Sequence, residues 1–222
     1  MDTALREVAI DSAGNIFSYR VTTGTELPRL VQFSSDGLVE RTYFGIESTN
    51  SLRTAPIIAG SDRIVFPISH TELGVATDIE NPETISISFT GFRGKGAISR
   101  ESVAFYTGTE RTSLLAVDLN NMQELPNQNC TTSAGSWASP GIDSTGNVVF
   151  GTSGGRIYSC TGALQFNWVY PDPGSTTLPG EFRSSAIIDE TDNVYMRSND
   201  GIIYSLDRNG ACLLYTSDAA DE

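Results

Sequence analysis

The chain is short of charge, of lysine, of histidine and of long apolar runs, and each shortage removes a class of protein. Only 18 % of its 222 residues are charged, below the roughly 25 % of an average soluble domain. That disfavours a helical bundle with ionic outer faces. Lys95 is the sole lysine beside thirteen arginines, and the net charge is −13. Nucleic acid and anionic membrane surfaces repel such a chain at long range. No stretch approaches the roughly 18 apolar residues of a spanning helix, so no membrane insertion by this segment is expected. His70 is the only histidine. It stands in Ser69-His70-Thr71-Glu72 and reads as an exposed turn residue, since a catalytic triad or a zinc site needs partners for it. What is present suits strands joined by turns: 39 % hydrophobic residues and 21 glycines, with a mean hydropathy of −0.15.

A repeat runs along the chain. Aligning Asp11, Ala59, Ser99, Asp143 and Asp189 gives offsets of 48, 40, 44 and 46 residues, 44.5 on average. Each copy opens with a small apolar strand, such as Ala186-Ile187-Ile188. A tight turn follows, such as Ser144-Thr145-Gly146-Asn147, then a β-branched and aromatic strand, such as Val148-Val149-Phe150. A hairpin turn (Ser153-Gly154-Gly155, Asn199-Asp200-Gly201) leads to a third strand and a polar corner, and Leu164–Tyr170 or Leu38–Phe44 supplies a fourth. Four short strands per 40–50 residues is the signature of a propeller blade. The expected fold is all-β: about five four-stranded antiparallel blades over residues 3–45, 52–92, 94–130, 136–170 and 184–211, as part of a seven- or eight-bladed ring. Within Val148–Thr152 and Arg156–Cys160, bulky residues alternate with smaller or polar ones, as strand faces require.

The ends carry a reading of their own. Residues 212–222, from Cys212 to Glu222, match one reading frame of a transposon adapter used for sequencing libraries. They are expected to be a non-native tail, which leaves the last blade without an outer strand. Leaving out Asp218, Asp221 and Glu222 takes the charge to −10. The chain also begins inside a repeat with no basic, apolar leader, and its true start is expected upstream.

At these residues the chain resembles the pyrroloquinoline-quinone-like β-propeller repeat family. The likeness rests on Ser139-Pro140-Gly141-Ile142-Asp143, on Gly146-Asn147-Val148 running to Gly155-Arg156-Ile157-Tyr158-Ser159, and on Thr161-Gly162-Ala163-Leu164 running to Trp168. It is closest over 136–170 and good over 184–210. The family's corner motif docks a tryptophan between blades, a role the resemblance carries to Trp168. Gly162, Asp118 and Asp207 keep other parts of that motif. The family includes quinone-dependent dehydrogenases, a lipoprotein scaffold of outer-membrane barrel assembly, and secreted propellers. A dehydrogenase would need a Ca²⁺ ligand set, a catalytic carboxylate and, in many members, a vicinal cysteine pair. None of these can be matched here, so no cofactor, metal or catalytic residue is expected.

The remaining candidates read as structure. Asp11, Asp143 and Asp189 recur at one position, but the calcium-loop spacing is absent and an Asx-type turn accounts for them. Gly91–Gly96 and Gly151–Gly155 contain no Gly-Lys-Ser/Thr and read as turns. Asn129-Cys130-Thr131 fits a glycosylation sequon. Cys130 and Cys160 fall on neighbouring blades, where both a disulfide and, as the leading expectation, buried free thiols stay open. Trp137, ahead of an inner strand, is a candidate for the channel mouth. The expected function is a non-catalytic, extracytoplasmic protein-binding scaffold that recognises partners through loops 45–53, 79–84, 126–137 and 171–183. A piece of a quinoprotein dehydrogenase and a ligand-sensing propeller are the alternatives.

Overall fold

The computed structural model describes residues 3–22, 28–38, 40–43, 46, 55–60, 63–69, 71–77, 79–87, 95–109, 112–126 and 129–216. His70, residues 91–94 and most of loop 45–53 lie outside them. All regular structure among the described residues is β: twenty strands in five four-stranded sheets, each a sequential antiparallel meander. Sheet one holds β1 (Thr3–Ile10), β2 (Ile16–Thr22), β3 (Arg29–Phe33) and β4 (Glu40–Tyr43). Sheet two holds β5 (Ile57–Ala59), β6 (Arg63–Pro67), β7 (Glu72–Ala76) and β8 (Glu83–Ser86). Sheet three holds β9 (Ala97–Ile98), β10 (Val103–Tyr106), β11 (Leu115–Asp118) and β12 (Gln123–Glu124). Sheet four holds β13 (Gly141–Ile142), β14 (Val148–Gly151), β15 (Ile157–Cys160) and β16 (Phe166–Tyr170). Sheet five holds β17 (Ile187–Ile188), β18 (Val194–Arg197), β19 (Ile203–Leu206) and β20 (Cys212–Thr216).

The sheets share a hub. First strands touch in chain order, β1 to β5, β5 to β9, β9 to β13 and β13 to β17. The fan places β1–β2 turns and β3–β4 corners, with their counterparts, at one end. Hairpin turns and crossovers between sheets lie at the other. The described parts of loops 126–137 and 171–183 are therefore crossovers at one end, while 79–84 belongs to a corner at the opposite end.

Packing explains the strand compositions. Val148, Phe150, Tyr158 and Cys160 join Phe105, Leu114 and Ala116 of sheet three in one cluster. Their neighbours Val149 and Ile157 face the other way, into a cluster with Phe182, Val194, Met196 and Tyr204. Sheet four is buried on both faces, so β14 and β15 are buried at every residue. The alternation read from sequence therefore reports size and not exposure: Ser159 and Thr152 are as buried as the apolar residues beside them. Both faces need apolar surface of fitted volume because adjacent blades interdigitate.

Sheet five differs from the sequence expectation. Cys212–Thr216 pairs with β19 as its fourth strand, through Ser205 with Leu214 and Ile203 with Thr216. An apolar run directly after the Asn209-Gly210 turn has the composition of a strand and completes a hairpin.

Candidate functional site

The repeated aspartates form turns. The Asp143 Oδ1 accepts from the backbone N–H of Thr145 at 2.9 Å and of Asn147 at 2.8 Å, and its Oδ2 accepts from the Asn147 amide at 2.8 Å. Asp189 makes the same set with Thr191 and Asn193, and Asp11 with Ala13 and Asn15. These donors, led by the Thr191 hydroxyl, hold the Asp189 carboxyl well below its usual range. Among the described residues no three His, Cys, Asp or Glu side chains gather as a metal site. Asp118 and Asp207 act alike at their corners. Asp118 accepts from the Asn120 N–H and the Asn121 amide, and Asp207 from the N–H groups of Asn209 and Ala211. The Asn120 N–H is the main reason the Asp118 carboxyl is lowered.

Trp168, by contrast, crosses between blades. Its Nε1–H donates to the Arg208 carbonyl of sheet five at 2.9 Å. Its ring lies so close to Gly210 that a Cβ there would sit 2.7 Å from it. Gly210 also has φ of +82°, so glycine is required twice over. Gly162 stays within its own sheet, facing the Gly146 carbonyl. The left-handed residue of that corner is Leu164, with φ of +60°.

Around Trp168 the structure assembles a latch that sequence reading missed. Asp192 of sheet five is 3 % exposed. It accepts from the Ser144 N–H at 2.8 Å and the Ser144 hydroxyl at 2.6 Å, both from sheet four, and pairs with Arg208 at 2.6 Å. Arg208 thus binds Asp192 through its guanidinium and Trp168 through its carbonyl. The available signal was a mismatch between repeats: Asp192, with φ of +65°, occupies the position of Gly146, with φ of +86°. An aspartate in a left-handed slot that glycine fills elsewhere is held there by what its side chain binds.

The Ser144 hydrogen bonds, then Arg208, depress the Asp192 carboxyl. A depressed folded value means stabilisation that is present above the unfolded value, about 3.9, and lost as pH falls through the folded one. Wild-type Tm is therefore expected to drop below about pH 4 more steeply than that of Asp192→Asn, with the two curves converging in acid. Parallel curves in a thermal melt series from pH 7 to pH 2 would remove the latch from the account.

Cys130 and Cys160, both fully buried, form a disulfide with Cα atoms 5.8 Å apart. It ties the crossover after sheet three to β15. That crossover is held further by the Ser136 N–H on the Gly108 carbonyl at 2.9 Å and the Thr132 N–H on the Thr112 carbonyl at 2.7 Å. Trp137, half-buried, follows on the same crossover, and the Arg183 guanidinium of the next crossover lies 4.9 Å from its ring centroid. Arg183 also pairs with Glu181 at 2.6 Å. Phe182, fully buried, pins this second crossover, with its N–H on the Thr152 carbonyl at 3.1 Å.

Five meandering sheets about one hub define a β-propeller, and solved structures agree. The computationally designed Ika8 protein superposes with a TM-score of 0.69 at 14 % identity, over 96 % of this chain and 61 % of that one. Virginiamycin B lyase from Staphylococcus aureus gives 0.70 at 12 %, over 98 % and 71 %. BamB from Moraxella catarrhalis gives 0.68 at 14 %, over 97 % and 65 %. The chain thus spans 61–71 % of these chains. No family model and no curated protein matches it. In fold the chain is a β-propeller, similar to BamB and to the lyase.

Proposed function

We propose that the chain is a non-catalytic, extracytoplasmic protein-binding module that recognises its partner at the crossover end of the fan. One observation carries this reading. Trp137 and Arg183, on successive crossovers, stack at 4.9 Å, on loops pinned by a disulfide and by Phe182. Tryptophan and arginine dominate binding hot spots, and rigid loops lose little entropy on binding. The fold alone does not decide activity: a lyase and a designed protein share it with BamB. Disulfides persist in oxidising compartments, which supports the location.

The test is a photo-crosslinking residue placed at Leu178 in cells exporting the protein. A discrete adduct is expected, reduced at least ~10-fold by Trp137→Ala, the scale of a hot-spot loss, with Tm unchanged. An equal adduct from Thr145, at the opposite end, would contradict the reading. So would quinone-dependent dye reduction by the chain supplied with Ca²⁺.

A further inference from the structure

The 171–183 crossover and sheet five border a cavity of about 470 Å³, within the size range of ligand pockets. Tyr170 and Tyr204 form two of its walls, with ring centroids 6.0 Å apart and planes inclined at 54°. Pro171, Leu178 and Ile202 add apolar surface, and Asp200 supplies the one charged side chain of the lining. The walls are held in place. Tyr204 is buried against the edge of the Phe182 ring. The Arg156 guanidinium donates to the carbonyls of Pro171, Asp172 and Pro173, which ties the chain after Tyr170 back to sheet four. Asp200 accepts from the Gly180 N–H at 2.9 Å and from the Ile202 N–H at 3.1 Å, joining the crossover to the hairpin of sheet five. Burial would raise the Asp200 carboxyl, but the Ser198 hydroxyl and these two N–H groups outweigh it and hold it below its usual range. It is therefore charged at neutral pH, and its partners are all neutral. Asp192 and Glu181 each meet an arginine; Asp200 meets none among the described residues.

We infer that this cavity receives an arginine side chain from an extended, apolar segment of the protein partner, which deepens the binding reading above and rests on it. Charge selects a cation. A carboxylate without a cationic partner stands in an aromatic and apolar lining that holds no lysine or arginine. An anionic occupant, nucleic acid included, would meet that carboxylate and a net charge of −13. Shape selects arginine. Its planar guanidinium lies against tyrosine rings and pairs with a carboxylate through two parallel donors, where an ammonium offers a point charge. The apolar walls select the context. Leu178 is 44 % exposed at the edge of the cavity, and with Pro171 it gives the residues flanking the arginine an apolar surface to cover. The same crossover carries Arg183, so one partner segment could engage both places.

The test is selection of a random peptide library on phage against the 222-residue chain, followed by titration of the dominant peptide made synthetically. The selected peptides are expected to carry an arginine beside apolar residues. Replacing that arginine by glutamine, or Asp200 by asparagine in the chain, should each weaken binding at least ~10-fold, the scale of a lost hot-spot contact. Asp200→Asn keeps one oxygen to accept from the neighbouring N–H groups. If it nevertheless fails to fold, Leu178→Arg decides. That position is exposed, and the new guanidinium should occupy the cavity and weaken the peptide to a similar degree with Tm unchanged. A selection that yields no peptides, or peptides without arginine, overturns the inference, and so does binding that neither variant weakens. Nα-acetylarginine amide competing as well as the whole peptide also overturns it, because the cavity is then a small-molecule site. The crosslink from Leu178 keeps the two readings apart. An adduct lost with Trp137→Ala but unchanged by Asp200→Asn leaves the binding module standing and refutes the arginine cavity, whereas no adduct in any variant refutes the module itself.

Discussion

Replacing Cys130 and Cys160 together by alanine is expected to destabilise the protein by about 3–4 kcal/mol, from the loop entropy released when a crosslink spanning some thirty residues is lost. The two sulfurs join the crossover after sheet three to the third strand of sheet four, so the unfolded chain gains freedom across a whole blade boundary. Chemical denaturation gives the check. Wild type and variant should differ in midpoint, and wild type in excess reductant should approach the variant once the buried bond has been opened in denaturant. A midpoint that neither alanine substitution nor reduction moves would mean that the two sulfurs are not joined in solution. The change should act locally as well. The crossover keeps the hydrogen bonds of Ser136 and Thr132 to Gly108 and Thr112, so Trp137 should hold its place more loosely without being released.

How much of this was legible in the sequence follows from the range of each interaction. The blade grammar was legible because its determinants are local. A recurring Asp-x-x-Gly-Asn turn and a run of β-branched residues set a hairpin without reference to the rest of the chain. The two-sided burial of the strands is harder to read. Ser159 and Thr152 are polar by type yet buried, and only the neighbouring blade makes them so. The Trp168 contact was reachable by resemblance, although its partners Arg208 and Gly210 lie forty residues on. Asp192 was missed because its role depends on Ser144, 48 residues away and in another blade. The disulfide overturns the leading expectation of buried free thiols for the same reason, since a separation of 30 residues says nothing of geometry. Cys212–Thr216 shows the reverse error: a judgement about the origin of a segment was carried over to its structure, where apolar composition and a preceding turn were enough to form a strand.

Phe182 offers the other large effect, and it joins stability to the proposed recognition surface. Its side chain is fully buried, edge-on to Tyr204 with ring centroids 5.4 Å apart, and packs among Val149, Ile157 and Met196 of two sheets. Phe182→Ala is expected to cost about 3–5 kcal/mol, the lost transfer energy plus the cavity left between sheets four and five. Phe182→Leu keeps most of the volume and should cost under about 1.5 kcal/mol. The two variants separate packing from recognition. Phe182 adjoins Glu181 and Arg183, so losing its ring frees the crossover that sets Arg183 over Trp137. Hydrogen exchange at residues 171–183 should rise sharply in the alanine variant, at temperatures where the molecule stays folded, and stay near wild type in the leucine variant. Crosslinking from Leu178 should fall in the same order. If exchange rises throughout the molecule and not in that crossover first, Phe182 is a core residue like any other, and the link between its burial and the rigidity of the binding loops is broken.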